Sequence, residues 1–387
     1  MKGKIYKGNI IRAEDKYTGV AVSRLTDDDG DTYHPYFTSQ LIDSENKNII
    51  VVSTRTGSGQ IFSLNLKNGD MIQLTDIKNR DTIPKPVLDI VHNYVYYFEG
   101  RVFKKLRLDN FYEEELLTIP EGFHSGDLTL TDKGDYAAFT YSKDLECITV
   151  SDVIYSNMAE RFHQHPLSVV FRYDIANNKT EAVWGEHEWI SHTLISPVDP
   201  NYIAFCHEGG SNVSQRLWMI KTDTKDVYPL IRQKPHYDNT VHEFFTASGR
   251  IGTQYSFRHR KDVPFYLEAE IYINPDGSDE KRYYYPYNRP GHIQTNFAET
   301  MSAGDRAQIK RDMPDYENYM SLMIPSDDHR LTVGLLCYHG TSWKTQKSHP
   351  HPIFTRDDSH VIFSSDAGGR CNVYMVEANW DKCIKSV

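Results

Sequence analysis

Apolar runs of four to seven residues alternate with polar turns from one end of the chain to the other. The segment His34-Pro35-Tyr36-Phe37-Thr38 leads into a polar turn, an apolar run over 49–53, a turn bearing Gly57 and Gly59, and a second run over 60–66. The same order returns near the C-terminus. There His351-Pro352-Ile353-Phe354-Thr355 precedes runs over 361–364 and 372–376, separated by a turn bearing Gly368 and Gly369. Short runs of this kind, bounded by turn formers, predict β-strands joined by hairpins. Weaker copies begin at Gly126, His192, His242 and His292, the last three 50 residues apart. The strong copies at 34 and 351 lie 317 residues apart, which at roughly 50 residues per unit is about six steps, hence seven units.

This spacing predicts an all-β fold, a seven-bladed β-propeller forming a single domain over 1–387. Such a ring has to be closed. The first unit finishes with a strand ending Gln73-Leu74-Thr75, whereas the last runs out near Trp380 without an outer strand. Residues Val20 to Thr26, ending Arg24-Leu25-Thr26, match the missing piece. An N-terminal strand at about 20–26 is therefore expected to complete the last blade as its outermost strand. Two stretches break the spacing, 144–166 in the third unit and 299–319 in the sixth, and are expected to form long loops or short helices.

Composition narrows the class. Thirty-nine per cent hydrophobic residues, with 26 Tyr, 17 Phe and 5 Trp, supply a packed core and exclude a disordered chain. A net charge of −10 gives no positive field to gather phosphate backbones, so no nucleic-acid partner is expected. An anionic substrate would need a local cluster of cations. No stretch reaches membrane-spanning length and the start lacks the apolar run of a signal peptide, so the expectation is a cytoplasmic protein with no membrane partner. Cys147, Cys206, Cys337, Cys371 and Cys383 show no CxxC spacing and read as reduced, mostly buried thiols.

In a propeller the first strand of each blade lines the central channel, so equivalent early positions converge in space. Here they hold His34, His192, His242, His292 and His351. The sharpest local pattern is Gln346-Lys347-Ser348-His349-Pro350-His351-Pro352. Histidines two apart on an extended segment point to one side, Pro350 stiffens the link, and Gln346 offers an amide oxygen. With His292 from the neighbouring blade, Gln346, His349 and His351 make a three-histidine, one-glutamine site for a divalent metal, with room left for water or substrate. Imidazole suits zinc, iron or nickel, while manganese prefers more oxygen, so ligand type alone leaves the metal open. His163-Gln164-His165 has the same spacing but lies out of register and reads as surface. Lys347 reads as solvent-facing.

Four pieces carry a family resemblance: Gln346-x-x-His349-Pro350-His351-Pro352, His242-Glu243-Phe244, Phe205-Cys206-His207-Glu208-Gly209 followed by Gln215-Arg216-x-Trp218, and His292 at the head of its unit. Through them the chain resembles, nearly end to end, the oligogalacturonate lyases, cytoplasmic seven-bladed propellers that split short pectic fragments. The resemblance implies Mn2+ held by His292, Gln346, His349 and His351, with Zn2+ or another divalent ion as the alternative. It also implies that His242 is the general base and that Arg216 lies near the substrate. The implied reaction is metal-dependent β-elimination of digalacturonate and similar small anionic oligosaccharides.

The chemistry asks for these groups. The C5 proton lies α to a carboxylate, whose negative charge makes that proton very weakly acidic. A divalent cation neutralises the carboxylate, and a neutral imidazole accepts the proton while the glycosidic oxygen leaves C4. Arg216 suits a second substrate carboxylate through its planar fork, or equally a structural salt bridge. His207, His192 and His34 are weaker candidates for lining the substrate pocket.

Two other readings share the fold: a non-catalytic propeller that binds proteins, and a metal-dependent propeller hydrolase. The first has no use for a Gln-x-x-His-x-His motif aligned with other blade-start histidines. The second would be expected to take carboxylate ligands from several blades.

Overall fold

The structure, a computed structural model, describes residues 1–79, 83–146, 157–234, 237–257 and 267–386. Cys147 and the rest of 147–156, within the interruption at 144–166, lie outside these. Seven antiparallel sheets of four or five strands follow one another along the chain. Their innermost strands, blades 1 to 7, are Thr32–Tyr33, Val87–Asp89, Phe123–Leu130, Ile190–Ile195, Asp238–Phe245, Ile293–Thr295 and Ile353–Phe354. Blade faces pack on their neighbours, so middle strands are covered on both sides and read as continuous apolar runs, such as Asn48–Ser53. Outer strands face water and turn polar, as in Glu113–Thr118.

Both chain ends latch the ring. Ala21–Arg24 pairs with Asn372–Glu377 of blade 7 in the register Val22↔Val376, Ser23↔Met375 and Arg24↔Tyr374. It is not the outermost strand as expected, because Ile11–Glu14 adds a fifth strand beyond it. Ile5–Tyr6 extends the edge of blade 1, and Ile384–Lys385 extends the edge of blade 6. The seam is tied further by Leu25 N donating to Val373 O at 2.8 Å and Thr32 N to Cys371 O at 2.7 Å. The sixth-unit interruption is shorter than expected. Ser302–Gly304, inside 299–319, is a strand that pairs with Ile293–Thr295, its polar flanks having hidden it.

The inner strands of blades 3, 4 and 5 carry a register shift at one equivalent place, between Ser125 and Leu128, Ser191 and Leu194, and Val241 and Phe244. A bulge bends the strand and re-aims a side chain. His192 and His242 sit in two of these shifts, and they and His351 have left-handed backbones, with φ of 50°, 58° and 48°. Histidine adopts this region more readily than most residues, and such outliers gather at functional sites. Below the histidines Phe37 and Phe244, ring centroids 6.1 Å apart, help fill the channel. Among the described residues no helix is long and apolar enough to cross a membrane.

Leu25 is fully buried at the seam. Leu25→Ala should cost about 2–5 kcal/mol in urea unfolding, the range for deleting a core leucine. A loss below about 1 kcal/mol would mean that the closing strand contributes little to stability.

Candidate metal centre

Three histidines meet at the mouth of the channel. His292, His349 and His351 each offer a ligand atom, all within 4.8 Å of one another, and all three side chains are buried. Two elements bring them together. His292 opens the inner strand of blade 6. Gln346–Ser348 forms a 3-10 turn, capped by reciprocal Thr345 and Ser348 hydrogen bonds, that delivers His349 and then His351 ahead of blade 7. The turn also sets the Gln346 amide against His351, Nε2 to Nε2 at 3.4 Å. Two donors do not bond, so the amide turned over, with its oxygen toward the centre, is the satisfied arrangement when His351 Nε2 carries the proton. Lys347, expected to face solvent, is instead partly buried and pairs with Asp31 of blade 1.

The polar partners around these rings fit a metal ligand set. His292 Nδ1 donates to Asp305 Oδ2 at 2.6 Å while its backbone N donates to Oδ1 at 2.7 Å. Nε2 thus keeps the lone pair, the carboxylate–histidine arrangement usual behind metal ligands. Gly291 permits this approach, since a Cβ there would lie 2.9 Å from Asp305 Oδ1. His349 Nδ1 is buried with no hydrogen-bond partner. Burial first, reinforced by the neighbouring His292 ring, pushes His349 down to about 4 and His351 well below the ordinary histidine range. Neutral imidazoles with free lone pairs are what a divalent cation requires.

His242 stands beside the centre, its ring centroid 4.4 Å from that of His292. Gln254 fixes its tautomer. Gln254 Nε2 donates to Pro290 O at 2.9 Å, so Oε1 is the acceptor for Arg289 NH1 at 2.9 Å and for His242 Nδ1 at 2.8 Å. His242 therefore carries its proton on Nδ1 and keeps Nε2 as the basic nitrogen. Burial first, then the charges of His292 and Arg289, hold its pKa well below the ordinary value, against the opposing pull of Gln254. A cavity of about 540 Å³ opens over these groups. It is lined by His242, His292 and His349 together with Glu268, Arg289, Arg306, Tyr316 and Trp343.

The other candidates lie elsewhere. Arg216 is buried and its fork is engaged by Glu208, NH1 to Oε1 at 2.9 Å and NH2 to Oε2 at 3.3 Å, with Glu243 3.5 Å from NH2. Of its two expected uses, the geometry is that of the salt bridge, not of a fork open to a substrate carboxylate, and its charge reaches His242 only at a distance. His192, Cys206 and Glu243 also place ligand atoms within 4.8 Å, but the Arg216 guanidinium already faces that carboxylate. His207 bonds Glu186 at 2.8 Å and packs on Trp218. His34 is buried beneath the centre, with Nδ1 2.7 Å from Pro35 O. None of His34, His192, His207 and Arg216 lines the cavity. His165 is half exposed beside Glu188, as a surface residue should be. Reading the sequence missed Asp305, Gln254, Arg289, Arg306 and Trp343.

Comparisons with known proteins agree with one another. The family model described as oligogalacturonate lyase matches residues 1–381. An oligogalacturonate lyase of Dickeya dadantii (strain 3937) is 23% identical over 392 residues, covering 97% of this chain and 98% of its own. An oligogalacturonide lyase of Pectobacterium atrosepticum is 24% identical over 384 residues, covering 94% and 95%. A solved oligogalacturonate lyase in complex with manganese superposes with a TM-score of 0.85 at 21% identity over 98% of this chain and 99% of its own. A crystal structure of the Vibrio parahaemolyticus oligogalacturonate lyase gives 0.86 at 22%, covering 99% and 100%.

Asp305→Asn should weaken divalent-metal affinity by about 10–100-fold in a chelator-competition titration. Unchanged affinity would mean that Asp305 does not support a ligand. Burial alone would raise Glu208, but Arg216, with His192 and the Gly209 N–H, together outweigh it and hold the carboxyl at about 2. A depressed carboxyl contributes stability above its unfolded value of 4.5 that is lost as pH falls toward 2. Glu208→Gln should therefore be destabilised at pH 7, with the gap to wild type closing between pH 5 and pH 2 in urea midpoints. A gap independent of pH would contradict the ion pair.

Proposed function

The chain belongs to the oligogalacturonate lyase family, and from that premise we propose that the His292 centre and His242 together cleave short oligogalacturonates by β-elimination. The observation that carries this assignment is the adjacency of two differently prepared imidazoles. His292 is held by Asp305 with Nε2 available to a cation, and His242, 4.4 Å away, is held by Gln254 with Nε2 available to a proton.

The ligand set is His292, Gln346, His349 and His351, and a divalent cation held there would neutralise the substrate carboxylate and support the charge developing at C5. Manganese is the ion favoured, supported by the manganese complex of the related lyase. His242 takes the C5 proton on Nε2. Its ring is neutral before the reaction, and Gln254 Oε1 continues to accept from Nδ1 once the ring is charged, so the base changes charge without losing its partner. The C5–H pair of electrons forms the C4–C5 double bond as the C4–O bond breaks, the departing oxygen takes a proton from water, and His242 returns its proton to solvent. Arg216 acts at longer range, its charge balanced by Glu208 and Glu243. Tyr36 and Phe37 pack against the His292 and His351 rings from below and close the floor to water. We place the activity in the cytoplasm, where Cys206, Cys337, Cys371 and Cys383, all buried free thiols, stay reduced.

His242→Ala should lower kcat on digalacturonate by about 10²–10⁴-fold, the usual worth of a positioned base, with metal content unchanged. His349→Ala should lose activity together with metal, restored in part by excess Mn2+. Product is read by the absorbance of the unsaturated uronate. Substantial turnover by His242→Ala would remove it from the role of base.

A further inference from the structure

We propose that Arg306, stacked on Trp343 in the cavity wall, binds the carboxylate of the sugar next to the one that loses its proton; this rests on the lyase reading above. An oligogalacturonate carries one carboxylate per residue, and the cation centre engages only the reacting one. In a chain of net charge −10 the second needs a cation of its own. The fixed charges lining the cavity are Glu268, Arg289 and Arg306. Arg289 is spent: its Nε lies 3.1 Å from Glu268 Oε1, and its NH1 is committed to Gln254 and to Pro290 O. Arg306 is left as the surplus positive charge.

The setting of Arg306 suits an incoming anion. Its one ion pair among the described residues, NH1 to Glu317 at 3.1 Å, is to a half-exposed carboxylate that does not line the cavity, and such a contact contributes little. Among the described residues its Nε is buried with no hydrogen-bond acceptor. The guanidinium centre lies 4.8 Å over the Trp343 ring. Stacking fixes the plane of the fork, whose NH1 is shared with Glu317. Trp343 is itself held in place, with φ of 60°, Nε1 donating to Glu317 O at 3.1 Å, and its ring 5.0 Å from that of His349. Arg306 also follows Asp305, the residue that orients His292, so one peptide sets the distance between the cation centre and the second carboxylate. The arrangement selects a uronate over a neutral sugar at this neighbouring position.

The test compares wild type, Arg306→Gln and Arg306→Lys on digalacturonate and on its monoester, methylated on the sugar that keeps its C5 proton. On the diacid, Arg306→Gln should lose about ten- to hundredfold in kcat/KM, carried mainly by KM, as expected for a lost charged hydrogen bond. Arg306→Lys should fall between. On the monoester, wild type and Arg306→Gln should agree within threefold, and Mn2+ affinity should be the same in all. Equal losses on both substrates, no loss on the diacid, or loss of metal would overturn the assignment. Should wild type cleave neither substrate, the lyase reading fails instead. Calorimetric binding of digalacturonate then still decides the Arg306 contact: weaker binding to Arg306→Gln supports it, and equal binding overturns it.

Discussion

The antiparallel pairing of Ala21–Arg24 with Asn372–Glu377 holds the first and last blades in one ring, and the turn that carries the metal-site residues is tied to the same ends. Asp31, where the chain enters blade 1, accepts from Cys371 N of blade 7 at 3.1 Å and from Lys347 of the ligand-bearing turn. The turn that presents Gln346, His349 and His351 is thereby pinned to the same residues that close the ring. His292 and His242 arrive from blades 6 and 5, whose position relative to blade 7 is set by packing around the closed circle. Ring closure and site assembly are one constraint, because a blade free to splay would carry its histidine away from the others.

Within that frame the strained positions have a common purpose. A left-handed backbone costs a non-glycine residue on the order of 1–2 kcal/mol, yet His192, His242 and His351 all adopt it next to the channel. In two of them a strand bulge supplies the turn in direction, and the ring is thrown toward the axis instead of into the blade face. Burying several imidazoles at one place would be prohibitive if they were charged, and burial drives the affected rings toward the neutral form. The same low-polarity surroundings that make the rings poor proton binders make them good cation ligands.

The repeat was legible in sequence because blade length and the head-of-blade histidines recur, and with it the ring, the closing strand and the cluster of His292, His349 and His351. What escaped notice follows one rule. Asp305 and Gln254 are cross-strand neighbours of the head-of-blade histidines: Ile293 pairs with Gly304 and Val241 with Gln254, one residue from the contact in each case. Finding them requires the register of the first hairpin in each blade. For blade 6 that hairpin was obscured by taking 299–319 as an interruption, and for blade 5 the bulge shifts the count by one. For Arg216 the sequence left two uses open. Its neighbour Glu208, eight residues earlier across a hairpin, was in view, but only burial decides whether an arginine fork points at a protein carboxylate or a substrate one.

The electrostatics of His242 show why the base and the cation centre have to be close but separately braced. Burial first, and then positive charge at the centre and on Arg289 and Arg216, keeps His242 unprotonated and so available. The same charge disfavours the imidazolium that it becomes. Gln254 offsets part of this by accepting from Nδ1 in both states, and the buried carboxylates of Glu208 and Glu243 confine the influence of Arg216. The pair Arg289–Glu268 does the same on the other side. Arg216 and Arg289 are thus matched by buried acids, whereas Arg306 is paired with the half-exposed Glu317, and Arg306 and the metal centre are the two places where an oligogalacturonate would bring its own negative charges.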